Sequence, residues 1–210
     1  DLTFVPAYTT TIAVNQLALA PDGRVLVVNK TTALVRLNPD GSLDSTWAGS
    51  SLVLGSSGNV ALLGTFQTAA VQPDGKVLIG ASLFNGGTST LYLRRLTATG
   101  ATDSTFSDVN LNSFDTFNAL RVLTDGRVMI GVGSINTPVR YGFRRYTATG
   151  LSDPNFVAFD QSGFASVTAA FTDDGRTWFS GQFGRINDTT RAQLARLNAY
   201  GTLDPAYSPG

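Results

Sequence analysis

Apolar residues in this chain gather in short runs, and four times two such runs bracket an Asp-Gly turn. Leu17-Ala18-Leu19-Ala20 and Val25-Leu26-Val27-Val28 flank Pro21-Asp22-Gly23-Arg24, and Ala69-Ala70-Val71 and Val77-Leu78-Ile79 flank Gln72-Pro73-Asp74-Gly75-Lys76. Leu120 to Leu123 and Val128-Met129-Ile130 flank Thr124-Asp125-Gly126-Arg127, and Ala169-Ala170-Phe171 and Trp178-Phe179 flank the turn at Asp174-Gly175-Arg176. Runs this short, bounded by Gly and Pro and rich in β-branched and aromatic residues, predict strands. Asp-Gly between them predicts a type I turn whose glycine is left-handed, giving a hairpin with a bulge. The near-continuous apolar run after each turn predicts a strand covered on both faces. The pattern is one β-hairpin, written four times.

A second block follows each hairpin. It reads Leu34-Val35-Arg36-Leu37, then Gly41, Asp44 and Trp47; next Leu93-Arg94-Arg95-Leu96, then Gly100, Asp103 and Phe106. The third copy is Phe143-Arg144-Arg145-Tyr146 with Gly150, Asp153 and Phe156, and the fourth is Leu194-Ala195-Arg196-Leu197 with Gly201, Asp204 and Tyr207. This order predicts a third strand, a glycine turn, and an Asp-x-x-aromatic tail opening a fourth element. Arg and Asp are eight residues apart in every copy (36/44, 95/103, 145/153, 196/204). A buried charge without a partner is costly, so the spacing predicts a bidentate Arg–Asp pair tying the third strand to the turn after it.

The turn glycines Gly23, Gly75, Gly126 and Gly175 are 52, 51 and 49 residues apart. A period near fifty with about four strands is the size of a propeller blade. The reading is therefore all-β and β-propeller-like: a single repeat domain over 1–210 of four blades, each of about four antiparallel strands. The repeats fall at 5–47, 48–106, 107–156 and 157–207, with Asp1-Leu2-Thr3-Phe4 the tail of a preceding repeat. A closed four-bladed ring and an open stretch of a larger ring or array both fit this spacing. Repeat one has a shortened middle, its two turn glycines 18 positions apart against 25, 24 and 26 elsewhere. The long stretch after Trp47 predicts an added hairpin, Leu52-Val53-Leu54 and Val60-Ala61-Leu62-Leu63 around the loop Gly55-Ser56-Ser57-Gly58.

Composition sharpens the fold class. The chain holds no Cys, no His and no Glu; all 15 acids are Asp, set against 13 Arg and 2 Lys. Few helix formers and much Thr, Val, Phe and Tyr argue for sheet. A formal net charge of zero supplies no field for nucleic acid or an anionic membrane, and no apolar run is long enough to span a bilayer. Low Lys with abundant Thr, Asn and Gly suits an extracellular or cell-surface protein.

Val71-Gln72-Pro73-Asp74-Gly75-Lys76-Val77-Leu78-Ile79-Gly80, together with Leu194-Ala195-Arg196-Leu197-Asn198 and Gly41-Ser42-Leu43-Asp44-Ser45-Thr46-Trp47, resembles the delta-60 repeat. The stretch Gly181-Gln182-Phe183 to Asn187-Asp188-Thr189-Thr190-Arg191 is similar to the middle of that repeat. The resemblance extends over essentially the whole chain, and repeat one departs from it in its short middle and long insertion. It implies tandem propeller-like repeats of bacterial extracellular proteins, and it carries no catalytic residues.

Without His or Cys, the common zinc, haem, thiol and Ser-His chemistries are closed. No catalytic, cofactor-binding or metal residue is assigned. Ten acids sit at repeated turn or tail positions, leaving Asp108, Asp115, Asp160, Asp173 and Asp188 with no convergent pair. Asp173-Asp174-Gly175-Arg176-Thr177-Trp178 is similar in part to the Asp-box turn of sialidase propellers, which lies away from the chemistry. Asn38, Asp40, Ser42 and Asp44 alternate as calcium ligands do, but a polar turn explains them with less. Asp44-Ser45-Thr46, Asp103-Ser104-Thr105 and Asp188-Thr189-Thr190 resemble a bacterial O-glycosylation acceptor, pointing to Ser45, Ser104 and Thr189. The leading expectation is a non-catalytic scaffold, structural or adhesive, of a bacterial secreted or cell-surface protein. Its partners are other copies or flanking repeats of the same parent. The alternative is a lectin-like propeller binding surface glycan through Phe84, Asn85, Tyr92, Tyr141, Phe183 and Arg185.

Overall fold

The computed structural model describes residues 5, 14–29, 34–51, 56–57, 60–61, 63–85, 88–112, 114–134, 139–163, 165–187, 189–191 and 193–207. They form two compact units, Asp1–Asn112 and Ser113–Gly210. The first unit holds two sheets. Sheet 1 is β1 (Val14–Leu19), β2 (Val25–Asn29) and β3 (Leu34–Leu37); a 3-10 turn at Ala48–Ser51 and a small hairpin of β4 (Ser56–Ser57) and β5 (Val60–Ala61) follow. Sheet 2 is β6 (Leu63–Val71), β7 (Val77–Asn85), β8 (Thr88–Leu96) and β9 (Val109–Leu111). The second unit repeats the plan. Sheet 3 is β10 (Thr116–Val122), β11 (Val128–Ser134), β12 (Arg140–Tyr146) and β13 (Phe159–Ser162). Sheet 4 is β14 (Ala165–Phe171), β15 (Thr177–Gln182) and β18 (Leu194–Leu197), with the hairpin β16 (Arg185–Ile186) and β17 (Thr189–Thr190) between its last two strands. Every pairing is antiparallel, and each sheet is a meander in sequence order.

The hairpin turns take the expected form. Gly23 N–H donates to Ala20 C=O at 3.0 Å and Ala20 N–H to Arg24 C=O at 2.8 Å, and the same two bonds recur at Gln72, Leu123 and Thr172. Gly23 has φ +83° and Gly75 φ +80°, a left-handed conformation that a side chain resists. A second irregularity was invisible in the sequence. The first strand of every sheet slips register once, between Val14 and Gln16, Phe66 and Thr68, Phe117 and Ala119, and Ala165 and Thr168. Each slip lies about one turn of pleat before the hairpin, so the bulge belongs to the repeat and bends the strand there.

The strands after the first three turns are covered on both faces, as their apolar runs require, with β11 buried at all seven positions, whereas β15 leaves Ser180 and Gln182 exposed. Each unit has its own core. In the first, Leu26, Val28 and Leu34 of sheet 1 pack with Phe66, Ala69, Val77 and Ile79 of sheet 2. In the second, Met129 and Phe143 of sheet 3 pack with Phe171 and Phe179 of sheet 4, the Phe143 and Phe179 rings 5.1 Å apart. No helix among the described residues is long and apolar enough to cross a membrane.

Three expectations change. Sheets 2 and 3 have four strands, but sheets 1 and 4 have three among the described residues. The fourth strand, β9 or β13, lies beyond the Asp-x-x-aromatic tail and not within it, because the tail itself is a turn. In repeat one the chain after Trp47 enters the 3-10 turn instead. The added hairpin also shifts: Ser56 and Ser57, expected in its loop, form strand and pair with Ala61 and Val60, while residues 52–55 and 58–59 lie outside the described residues. Leu63 opens β6.

Candidate functional site

The repeated Arg, Asp and aromatic residue converge in all four repeats. Arg36 Nε donates to Asp44 Oδ2 at 2.9 Å, Arg95 to Asp103 at 2.8 Å, Arg145 to Asp153 at 2.7 Å and Arg196 to Asp204 at 2.8 Å. The fork-on-fork bidentate pair foreseen from the spacing is corrected here. Arg36 Nη2 also lies 2.8 Å from that same Oδ2. The other oxygen, Oδ1, accepts from the backbone N–H two residues on: Thr46, Thr105, Asn155 or Ala206. Asp in a tight turn takes this local bond readily, which leaves one oxygen for the guanidinium.

The aromatic residue of the tail lies against the same guanidinium. Arg36 sits 5.2 Å from the Trp47 ring, Arg95 4.9 Å from Phe106, Arg145 5.0 Å from Phe156 and Arg196 5.2 Å from Tyr207. Cation–π contact of this kind contributes about 0.5–2 kcal/mol. So the Arg-x7-Asp-x2-aromatic spacing encodes one clamp. The basic residue after the hairpin glycine joins it in three repeats, with Arg24, Lys76 and Arg127 at 3.3, 3.6 and 3.3 Å from the buried carboxylate.

Hydrogen bonds and neighbouring charge hold the carboxylates of Asp44, Asp103 and Asp153 ionised. The Thr46 hydroxyl and Arg36 lower the pKa of Asp44 despite its burial, and the Thr105 hydroxyl and backbone with Arg95 carry Asp103 far below the ordinary carboxylate range. At Asp153 burial is the largest influence and opposes the charge, yet bonds from Asn155 N–H and Arg145 outweigh it.

Two of the clamps, those of Arg36 and Arg145, also grip the next repeat. Arg36 Nη1 donates to Ala98 C=O at 2.7 Å, Ala48 N–H donates to Thr99 C=O at 2.9 Å, and Trp47 lies directly over Gly100. In the second unit Arg145 Nη1 donates to Ala199 C=O at 2.5 Å, Val157 N–H to Tyr200 C=O at 2.7 Å, and Phe156 covers Gly201. These inter-repeat bonds were missed in the sequence, because their acceptors are backbone carbonyls of unremarkable residues.

The remaining acids are spent as well. Asp108 pairs with Arg94 at 2.5 Å, Asp160 with Arg144 at 2.7 Å and Asp173 with Arg121 at 2.7 Å, while Asp115 accepts from Ser134 at 2.9 Å. Asp188 lies outside the described residues. In the calcium-like turn, Ser42 N–H and Oγ both donate to Asp40 and Asn38 Nδ2 donates to Ser42, so the oxygens close the turn on itself. No group of three or more ligating acids occurs among the described residues.

The ligand-face candidates fall on separate elements of the two units. Tyr92 is half-buried on β8 and its hydroxyl accepts from Asn110 Nδ2 at 3.2 Å; Tyr141 is half-buried on β12. Phe183 is 7% exposed and stacks at 5.5 Å on Phe179, so it belongs to the core, while Arg185 is exposed on β16. Phe84 and Asn85 end β7, and their side chains lie outside what is described. Ser45, Ser104 and Thr189 are exposed. Arg191 is a buried cation the sequence did not flag; its Nη1 donates to Thr190 C=O.

A protein-family model described as a domain of unknown function (DUF5122), beta-propeller, matches residues 20–46, 72–106 and 172–207. Each match runs from a hairpin turn into the Asp-x-x-aromatic tail, in repeats one, two and four. The fold is β-propeller-like. No curated protein matches the chain. Among solved structures, one similar chain is PorZ, an essential bacterial surface component of the type-IX secretion system of Porphyromonas gingivalis. The likeness has 10% identity and a TM-score of 0.48 over 90% of this chain and 26% of PorZ, so the chain spans about a quarter of that protein. At those values nothing of PorZ's role transfers.

Proposed function

We propose that this chain is a non-catalytic repeat scaffold of a bacterial secreted or cell-surface protein, with a structural or adhesive role, built of delta-60-type repeats. The observation that carries the reading is how the charges are used. The four repeated Arg–Asp pairs are internal and buried or half-buried. Acids locked this way hold proteins together; they are poorly placed to exchange protons with a substrate. The four repeats act as a single repeat domain in this reading.

Surface placement is tested on intact cells producing the parent protein. A protease that cannot enter the cell removes the repeat, followed by antibody; full protection until lysis would sink the surface reading. Exposed Ser45, Ser104 and Thr189 are the places for O-linked sugar in such a protein. An intact mass equal to the bare sequence after native expression would remove that part.

A further inference from the structure

Each junction between sheets within a unit has a donor face and an acceptor face. On the donor side of sheet 1, Leu26, Val28 and Leu34 are at most 1% exposed. They bury against the acceptor side of sheet 2, where Ala69 is 2% exposed and Val71 packs into the same core. The donor clamp completes the junction by giving Arg36 Nη1 to the carbonyl two residues before the turn glycine. Sheets 3 and 4 repeat this arrangement through Arg145 and Phe171.

Both halves of the same junction stand open elsewhere in the chain. On sheet 4 the donor positions are Ala170, Trp178, Ser180 and Leu194, of which Ala170 and Ser180 are exposed and Trp178 and Leu194 half-buried. The Arg196 side chain is 22% exposed, against 2% for Arg145, and among the described residues no carbonyl accepts from it as Ala199 does from Arg145. On sheet 1 the acceptor positions Leu17 and Leu19 are 62% and 72% exposed, where their counterparts Ala69 and Phe171 are 2% and 5%. Pro39 C=O, the counterpart of Ala98 and Ala199, accepts no hydrogen bond among the described residues.

We propose that these two halves meet between copies of the chain, head to tail. The Arg196–Asp204–Tyr207 clamp with Trp178 and Leu194 of one copy docks on Leu17, Leu19 and the 38–41 turn of the next. The junction is heterologous, and each copy carries one of each half, so association closes a ring of copies where the rotation at the junction allows it and otherwise propagates. A second copy is favoured because the junction already works twice in this chain with the same chemistry.

The acceptor turn has a built-in competitor. Val5 N–H donates to Asp40 C=O at 3.1 Å, the bond that Ala48 makes to Thr99 and Val157 to Tyr200. The sequence before it, Asp1-Leu2-Thr3-Phe4, has the spacing of Asp204-Pro205-Ala206-Tyr207. Val5 N–H thus occupies a carbonyl that an incoming tail would take.

This inference names the partner of the scaffold reading and rests on it. Sedimentation of the 210-residue chain across a wide concentration range reads it directly. Mass is expected to rise in steps of the 22.1 kDa monomer. Leu19→Asp and Arg196→Ala each abolish association while circular dichroism stays that of a folded sheet protein; Leu17→Asp and Tyr207→Ala serve if either misfolds. Mixed together, the Leu19→Asp and Arg196→Ala chains recover a dimer that grows no further, since each retains the half the other lost. Removal of residues 1–5 strengthens association at a given concentration. A monomer at every concentration, variants that associate like the parent, a mixture that stays monomeric, or a shortened chain that associates no better would overturn the proposal. A monomer that is still cleaved on intact cells would leave the surface reading standing alone.

Discussion

At Gly100 two demands coincide. Its φ of +89° suits no side chain well, and a Cβ there would run into the Trp47 indole and the Gly49 amide. Gly23 meets only the first demand: its φ is +83° and the nearest neighbour to a Cβ is Pro39 at 3.5 Å. Gly23→Ala should therefore cost about 1–2 kcal/mol, the left-handed penalty alone. Gly100→Ala should cost clearly more, because the tail of repeat one must lift off the turn of repeat two. Urea midpoints of the two variants check this, and equal losses would remove the interlock. The same separation explains what could be read residue by residue. Arg95 and Asp103 announce each other through their spacing, whereas Ala98 and Ala199 serve through a carbonyl that every residue possesses.

Among elements, β6 is the edge of sheet 2, and an edge strand leaves backbone groups unpaired. Gln16 of β1 fills that need. Its Nε2 donates to Ala69 C=O at 2.9 Å, and its Oε1 accepts from Ala69 N–H and the Thr68 hydroxyl, both at 2.9 Å. One side-chain amide thus continues the ladder from sheet 2 to sheet 1. Gln16→Ala leaves both groups of Ala69 without a partner and should destabilise the first unit by about 1–3 kcal/mol. Hydrogen exchange at the Ala69 amide should speed up by far more than exchange within β7; an unchanged rate would show that Gln16 is dispensable. The strands on either side were legible from their apolar runs. This bond was not, since it depends on the bulge before Gln16, which places the side chain against another sheet.

For the whole molecule, composition and clamps together set the response to pH. The chain has no His, Cys or Glu, so between about pH 5 and 9 no side chain passes its ordinary pKa. Asp44, Asp103 and Asp153 have folded pKa values below the unfolded one, so their stabilisation is complete above about pH 4 and is lost as pH falls through the folded values. The melting temperature should be level from about pH 5 to 9 and then fall steeply below about 4; a slope near neutrality would contradict this. Sequence by itself determined the all-β repeat, the hairpin turns with their left-handed glycines, and the partnership of Arg with Asp. Those are local or strictly periodic, and short-range backbone preference and a fixed spacing are enough to specify them. Only the tertiary structure decided that Oδ1 turns to the backbone, that the fourth strand lies past the tail, and that the Arg36 and Arg145 clamps hold the next turn. These depend on which surfaces meet when sheets pack, and packing brings together backbone groups that carry no mark in the sequence.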